Sequence, residues 1–237
     1  MIPPAYYRSL LSAREQEGYR IMVNELLQYR SEVTLPFSVT EGDAVFRILN
    51  AVHKDHPEIF YIDYWQRYKL CGVLHQAQST LPLRYLMDQR RAEAVLNTIN
   101  NKVKRLDPVV AKQRNLKDKY YVIVRYIASS VSYKDTNSAF WDHTAAGPLI
   151  GRAAVCEGIS KLFLLICQRL NLPCALVGGT LHNQPHAWNM VEPQAGDIRY
   201  LDVTGLLRLA TIPEFLCPDI AYKTEQTLRK DGYILDA

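Results

Sequence analysis

A chain of 237 residues that is 48% apolar and 22% charged can form one large domain or two small ones, and it is too apolar to remain unfolded. Its 28 basic against 24 acidic residues leave an excess too small to point to nucleic acid or an anionic membrane as partner. The twelve prolines and eleven glycines follow no period, which excludes a collagen-like chain.

In chain order, Ser12 is an N-cap for a helix over 12–30, with Ile21, Met22, Leu26, Leu27 and Tyr29 as its apolar stripe. A short strand, Val33–Phe37, follows. Thr40 then opens a second helix whose buried face is Val45, Phe46, Leu49 and Val52, and Pro57 ends it. Ile59–Trp65 and Tyr68–Gln76 are rich in aromatic and branched residues and read as a strand hairpin, with a further strand at Leu81–Leu86. Ala92, Val95, Leu96, Ile99 and Val103 give helical spacing from Asp88 to Leu106.

Asp107-Pro108 interrupts that helix and starts another over about 109–131, because proline fits a first turn and not a helix interior. Val122, Ile123, Tyr126, Ile127 and Val131 face a core. The seven basic residues between 102 and 119 read as solvated helix surface. Breakers from Asp135 to Gly151 mark 134–155 as a long loop of the kind that carries function. Cys156–Leu170 is apolar nearly all round and so a buried helix, stopped by Asn171 and Pro173. Strands follow at Cys174–Thr180, His186–Glu192 and Arg199–Val203. The domain boundary is expected near Leu106–Pro108, giving a mixed N-terminal region 1–107 and a chemistry-bearing region 108–237.

The five cysteines (Cys71, Cys156, Cys167, Cys174, Cys217) are odd in number, contain no CxxC and sit in a chain that needs no disulfide staples. Reduced thiols in a cytoplasmic protein are the expectation. The N-terminal residues lack a signal-peptide layout, and the apolar run Leu162–Cys167 is far short of the roughly 20 residues a membrane helix needs. No membrane partner is expected, and the oligomeric state is left open.

Cys156 stands where a loop enters a buried helix, so unpaired backbone N–H groups and the positive end of the helix dipole favour thiolate over thiol there. His186, Trp188 and Met190 share one face of a strand, and Tyr200 and Asp202 share one face of the next. A hairpin turning at Pro193-Gln194-Ala195 sets Met190 against Ile198, Trp188 against Tyr200 and His186 against Asp202. Thiol, imidazole and carboxylate together are a set for nucleophilic attack on a carbonyl, proton transfer and imidazole orientation. The Cys156 N–H is the first oxyanion donor; the second is expected from the 134–155 loop, with Trp141 and His143 as the residues to watch there and beside substrate. Trp188 joins them as a substrate contact. His182 and His186 with Cys167 and Cys174 form a weaker zinc pattern, set aside because Cys167 falls inside the buried helix and 183–185 is not helical.

Ala154-Val155-Cys156-Glu157-Gly158, His186-Ala187-Trp188-Asn189 and Tyr200-Leu201-Asp202-Val203-Thr204 resemble, in this order, the three signature segments of the transglutaminase-like superfamily, and of its bacterial members in particular. Ile159 departs from the aromatic residue common after C-[EQ]-G, and no calcium loop of the animal crosslinking type is visible. The resemblance covers about 115–207. It implies an α+β, papain-like core with the nucleophile on a central helix against an antiparallel sheet. It also implies thiol-dependent acyl transfer, with Cys156 as nucleophile, His186 as acid and base, and Asp202 as orienting carboxylate, but it does not identify a substrate. A peptide or protein partner is expected, with no cofactor and no metal. Protease, amidase and transglutaminase activity all occur in that superfamily, as do silent members, so a catalytically inactive peptide-binding module is the alternative.

Overall fold

The computed structural model describes every residue except 65–67, 75, 137–138, 208–221 and 237, with Ala139 and Phe140 described in their backbone alone. The expected Trp65 strand end and Cys217 therefore lie outside the described residues. The chain folds into two compact units, Ala5–Ala94 and Val95–Ala237, the latter joined by Met1–Pro4.

Within Ala5–Ala94 the elements are α1 (Tyr6–Ser9), α2 (Ala13–Leu27), β1 (Glu32–Leu35), α3 (Gly42–Asp55), β2 (Ser79–Pro82) and the first turns of α4 (Gln89–Lys104). A capping box starts α2: the Ser12 side chain accepts the Glu15 N–H while the Glu15 carboxylate accepts the Ser12 N–H. Tyr19, Met22 and Leu26 are buried, whereas Tyr29 lies beyond the helix end with φ 54°. On α3, Val45, Ile48, Leu49 and Val52 are buried, but Phe46, expected on that face, is 69% exposed. The Asp55 carboxylate accepts the Tyr7 and Arg8 N–H groups and the Tyr19 hydroxyl, fastening α1 to α3.

Strand β1 pairs antiparallel with β2, Val33 opposite Leu81. Among the described residues of 59–76 the expected hairpin is not formed. Residues 59–64 run as turns, and the segment joins the rest through the isolated bridges Ile62–Tyr85 and Cys71–Thr80. Ile59, Phe60, Tyr61 and Ile62 are each buried, and Tyr61 stacks on Tyr29 with ring centroids 4.5 Å apart. Their strand-like composition reflects burial, which is much of what β-propensity measures.

The second unit continues with α5 (Asp107–Ala111), α6 (Leu116–Ser130), β3 (Ser132–Tyr133), α7 (Ala139–Asp142), α8 (Ala146–Ile150), β4 (Ala153–Ala154) and α9 (Cys156–Arg169). The helix expected over 109–131 is thus two, because Asn115 accepts the Asp118 N–H and starts α6 afresh. The expected 134–155 loop contains α7, α8 and β4. Then follow β5 (Cys174–Leu181), β6 (Gln184–Gln194), β7 (Asp197–Leu201), α10 (Val203–Leu207), α11 (Glu225–Lys230) and β8 (Tyr233–Leu235).

The four-stranded sheet is antiparallel throughout, in the order β7-β6-β5-β8, while β3 and β4 form a separate parallel pair. Ten consecutive residues of α9, Gly158–Cys167, are buried, as its all-round apolar pattern requires. A reciprocal pair of bonds fixes α9 to β6: Ser160 Oγ donates to the Ala187 carbonyl at 3.0 Å, and Asn189 Nδ2 donates to the Ser160 carbonyl at 3.0 Å. The result is an α+β core with a central helix against an antiparallel sheet.

The β6–β7 hairpin forms in a register two residues from the expected one: Met190 faces Tyr200 and Asn189 faces Leu201. Gln194 pairs with Asp197 across a two-residue turn in which Gly196 has φ 80°, and the ladder is irregular between Val191 and Gln194. The cause lies at Glu192, whose buried carboxylate turns inward to accept the Gly196 and Ile2 N–H groups. A shift of two leaves every side chain on its face, so His186 and Asp202 remain on one side, now diagonal instead of opposed.

Candidate active site

Cys156 is the first residue of α9 and is partly exposed. Val155 before it is extended (φ −86°, ψ 178°) and supplies no side-chain cap to the first-turn N–H groups of α9. The turn before α9 is seated closely. The Val155 N–H donates to the Asp142 carbonyl at 3.2 Å, and a Cβ on Gly158 would lie 2.3 Å from that same oxygen. Glycine at 158 is what lets the end of α7 rest on the start of α9.

His186 lies on β6 with Nε2 2.9 Å from Asp202 Oδ2, and it is also hydrogen-bonded to Cys156. With Nε2 held by the carboxylate, Nδ1 is the ring nitrogen left for the thiol. Burial works against a charged imidazole, but the bonds and charges of Asp202 and Cys156 outweigh it and push His186 up to about 9. The three residues singled out in the sequence are therefore brought into one bonded line.

Asp202 is held on both oxygens. Oδ1 accepts the Gly205 N–H at 3.1 Å, capping α10, and Oδ2 accepts the Tyr233 hydroxyl at 2.7 Å as well as His186. Burial alone would raise its carboxyl; the bonds from His186, Tyr233 and Gly205 hold it below the ordinary carboxylate range. Tyr233, on the last strand, is a site residue the sequence reading missed. Its phenol is pushed well above its ordinary value by burial and by the Asp202 charge, so it remains an O–H donor.

Trp188, expected at the substrate, is fully buried instead. Its ring stacks on His186 at 5.8 Å and meets Tyr233 edge-on at 5.2 Å. Period-two geometry put it on the imidazole face of β6, and there it supports His186 from beneath.

Trp141 and His143 are both partly buried at the end of α7. His143 Nδ1 lies 2.8 Å from Glu157 Oε2, next to the nucleophile, and Glu157 Oε1 pairs with Lys161 Nζ at 2.7 Å. Lys161 Nζ in turn donates to the His143 carbonyl at 3.1 Å, closing a ring. Lys161 is only 4% exposed, and burial lowers its ammonium against the opposing pull of Glu157. Among the described residues no three His, Cys, Asp or Glu side chains gather as a metal site requires.

Residues 103–197 match the family model of the transglutaminase-like superfamily. Over this stretch the chain is similar to a transglutaminase-like core. Cys156 and His186 fall inside the matched range, while Asp202 and Tyr233 follow it. Among solved structures, the core is similar to a TGase at 17% identity and a TM-score of 0.43, covering 73% of this chain and 50% of that one. A candidate cysteine protease from Cytophaga hutchinsonii gives 17% identity and a TM-score of 0.37 over 68% of this chain and 61% of that one. A candidate protease from Parabacteroides distasonis gives 11% identity and a TM-score of 0.33 over 59% of this chain and 37% of that one. The chain thus spans about half the length of the TGase it matches. No curated protein sequence matches it. No helix among the described residues is long and apolar enough to cross a membrane.

Proposed function

We propose that the transglutaminase-like core performs thiol-dependent acyl transfer on peptide or glutamine amide bonds, with Cys156 as nucleophile, His186 as general acid and base, and Asp202 as orienting carboxylate. What supports this above all is the bonded line Cys156–His186–Asp202 at the open N-terminus of a buried helix.

The Cys156 sulfur adds to the amide carbon, and the carbonyl electrons move to oxygen, which the Cys156 N–H is positioned to receive. Collapse of this tetrahedral species breaks the C–N bond, and the departing amine takes the proton carried by His186. A thioester remains. His186, now neutral, accepts a proton from the incoming water or amine as that nucleophile attacks, and the C–S bond breaks to restore the sulfur. Asp202 holds one imidazole orientation through both halves. Water yields a carboxylic acid and a lysine-like amine yields a crosslink. Water needs no second pocket, so hydrolysis by a cysteine protease or amidase is the reaction to test first. Trp141 and His143, beside the first turn of α9, are the residues we assign to substrate contact. Cys71, Cys156, Cys167 and Cys174 are all free thiols, which suits a cytoplasmic enzyme with a peptide or protein substrate.

A peptide library incubated with wild type and with Cys156→Ala, read by mass spectrometry, tests the proposal. Cleavage, deamidation or amine incorporation by wild type alone is the expected result. Equal peptide binding by both proteins with turnover by neither would select the silent binding module instead.

A further inference from the structure

We infer that Tyr233 is a positioning residue that sets the basicity of His186 through the carboxylate they share. This rests on the acyl-transfer reading above for its consequence in turnover, and on geometry alone for its effect on the imidazole.

Asp202 Oδ2 is the acceptor of two donors, Tyr233 Oη at 2.7 Å and His186 Nε2 at 2.9 Å. Two donors on one oxygen share its electron density, so the phenol weakens the hold of the carboxylate on the imidazolium. Tyr233 cannot drift away from this bond. Its ring is 6% exposed, meets the buried Trp188 edge-on at 5.2 Å, and lies 5.9 Å from the His186 ring.

The strand that delivers Tyr233 has a made seat. Strand β8 pairs with β5, Leu181 opposite Tyr233 and Gly179 opposite Leu235. A Cβ on Gly179 would stand 2.0 Å from the Ile234 carbonyl oxygen and 2.7 Å from Trp188 Cη2. At Gly178 it would stand 2.9 Å from Asp236 Oδ2. The Gly178-Gly179 pair thus admits β8 on one side of β5 and the Trp188 ring beneath it. Gly232, with φ 88°, turns the chain into β8 against the His182 ring, and its carbonyl accepts the His182 N–H at 3.0 Å.

The charged and titratable groups around the pair come from several elements. Cys156 of α9 and Asp202 before α10 face His186. Lys223 stands 5.0 Å over the Tyr233 ring and is itself paired with Asp231 at 2.8 Å, so this cation and this anion offset each other near the phenol. The uncompensated change on removing the hydroxyl therefore falls on Asp202 and, through it, on His186.

The test is the imidazole C2–H titration of His186 by NMR in Cys156→Ala and in Cys156→Ala/Tyr233→Phe, where the thiol no longer takes part. Loss of the hydroxyl is expected to raise the His186 midpoint by roughly half a pH unit. Site-specific incorporation of a ring-fluorinated tyrosine, a stronger donor, is expected to lower it. Unfolding midpoints of each protein separate this effect from a general loss of structure. An unchanged or lowered midpoint in Tyr233→Phe, with the fold intact, overturns the inference. In the Cys156-containing protein, the same shift should move the pH profile of turnover. A shifted NMR midpoint with no turnover in any variant would reject the enzymatic reading and leave the coupling standing.

Discussion

Glu157 and Lys161 stand one turn apart on α9, and their carboxylate and ammonium meet at 2.7 Å inside the protein, directly behind the proposed nucleophile. With His143 they form a ring that ties the end of α7 to the first turn of α9. Replacing Lys161 by methionine keeps the bulk and removes the cation, leaving the Glu157 charge in a largely buried position without that partner. A loss of about 3 kcal/mol is expected, measured as the shift in urea midpoint at constant m-value. The double variant Lys161→Met/Glu157→Gln should recover part of it, because the stranded charge is then gone. A single Lys161→Met protein as stable as wild type would show that the pair contributes nothing.

The His186–Asp202 pair makes stability depend on pH in two directions. His186 titrates at about 9 in the folded protein against 6.5 for its ordinary value. The stabilisation it contributes is fully present below about 6.5 and fades as pH rises through 9, for a total of about 3 kcal/mol. Asp202 is depressed, so its contribution is present above its ordinary range and is lost as pH falls through the lowered folded value. Replacing His186 by alanine should flatten the decline between pH 6.5 and 9, seen in denaturant midpoints taken across that window. An equal slope in both proteins would assign the decline to other groups.

Gly158 offers a sharper test of how the helix start is held. A methyl there meets the Asp142 oxygen at 2.3 Å and the Thr144 oxygen at 3.1 Å, both backbone atoms that cannot swing aside. The end of α7 must lift off α9 in Gly158→Ala. A destabilisation of about 1–3 kcal/mol is expected, together with altered alkylation of Cys156 by brief iodoacetamide treatment, read by peptide mapping. Unchanged stability and labelling would mean that the contact yields without cost.

What could be read from the sequence was mostly local. The Ser12 N-cap, the all-round apolar α9 and the signature segments each lie within a short stretch, and Cys156, His186 and Asp202 came from the last of these. The β6–β7 faces were legible from period-two alternation, but the register was not. It depends on the Glu192 carboxylate turning inward to bind Gly196 and Ile2, the second of these 190 positions away. Burial in Ala5–Ala94 mimicked strand propensity at Ile59–Ile62. Tyr233 was invisible for the same reason that it matters: its bond to Asp202 spans 31 positions and depends on a strand seated by two glycines.

Asp202 has two duties that one substitution can separate. Asp202→Asn keeps an oxygen for the Gly205 N–H and so retains the cap of α10, but the amide nitrogen it then turns towards His186 and Tyr233 can accept from neither. Asp202→Ala removes the cap as well, which is worth about 1 kcal/mol. Asparagine is therefore expected to cost less stability than alanine, while both slow acyl transfer severely; for Asn the loss is roughly 10⁴-fold if the imidazole is turned to the wrong tautomer, as in serine-hydrolase triads. The measurement is kcat on the best library peptide beside the thermal midpoint of each variant. If Asn retained near-full turnover while Ala lost it in proportion to stability, Asp202 would be a helix cap that happens to touch His186, and the imidazole would owe its orientation to Trp188 and Cys156.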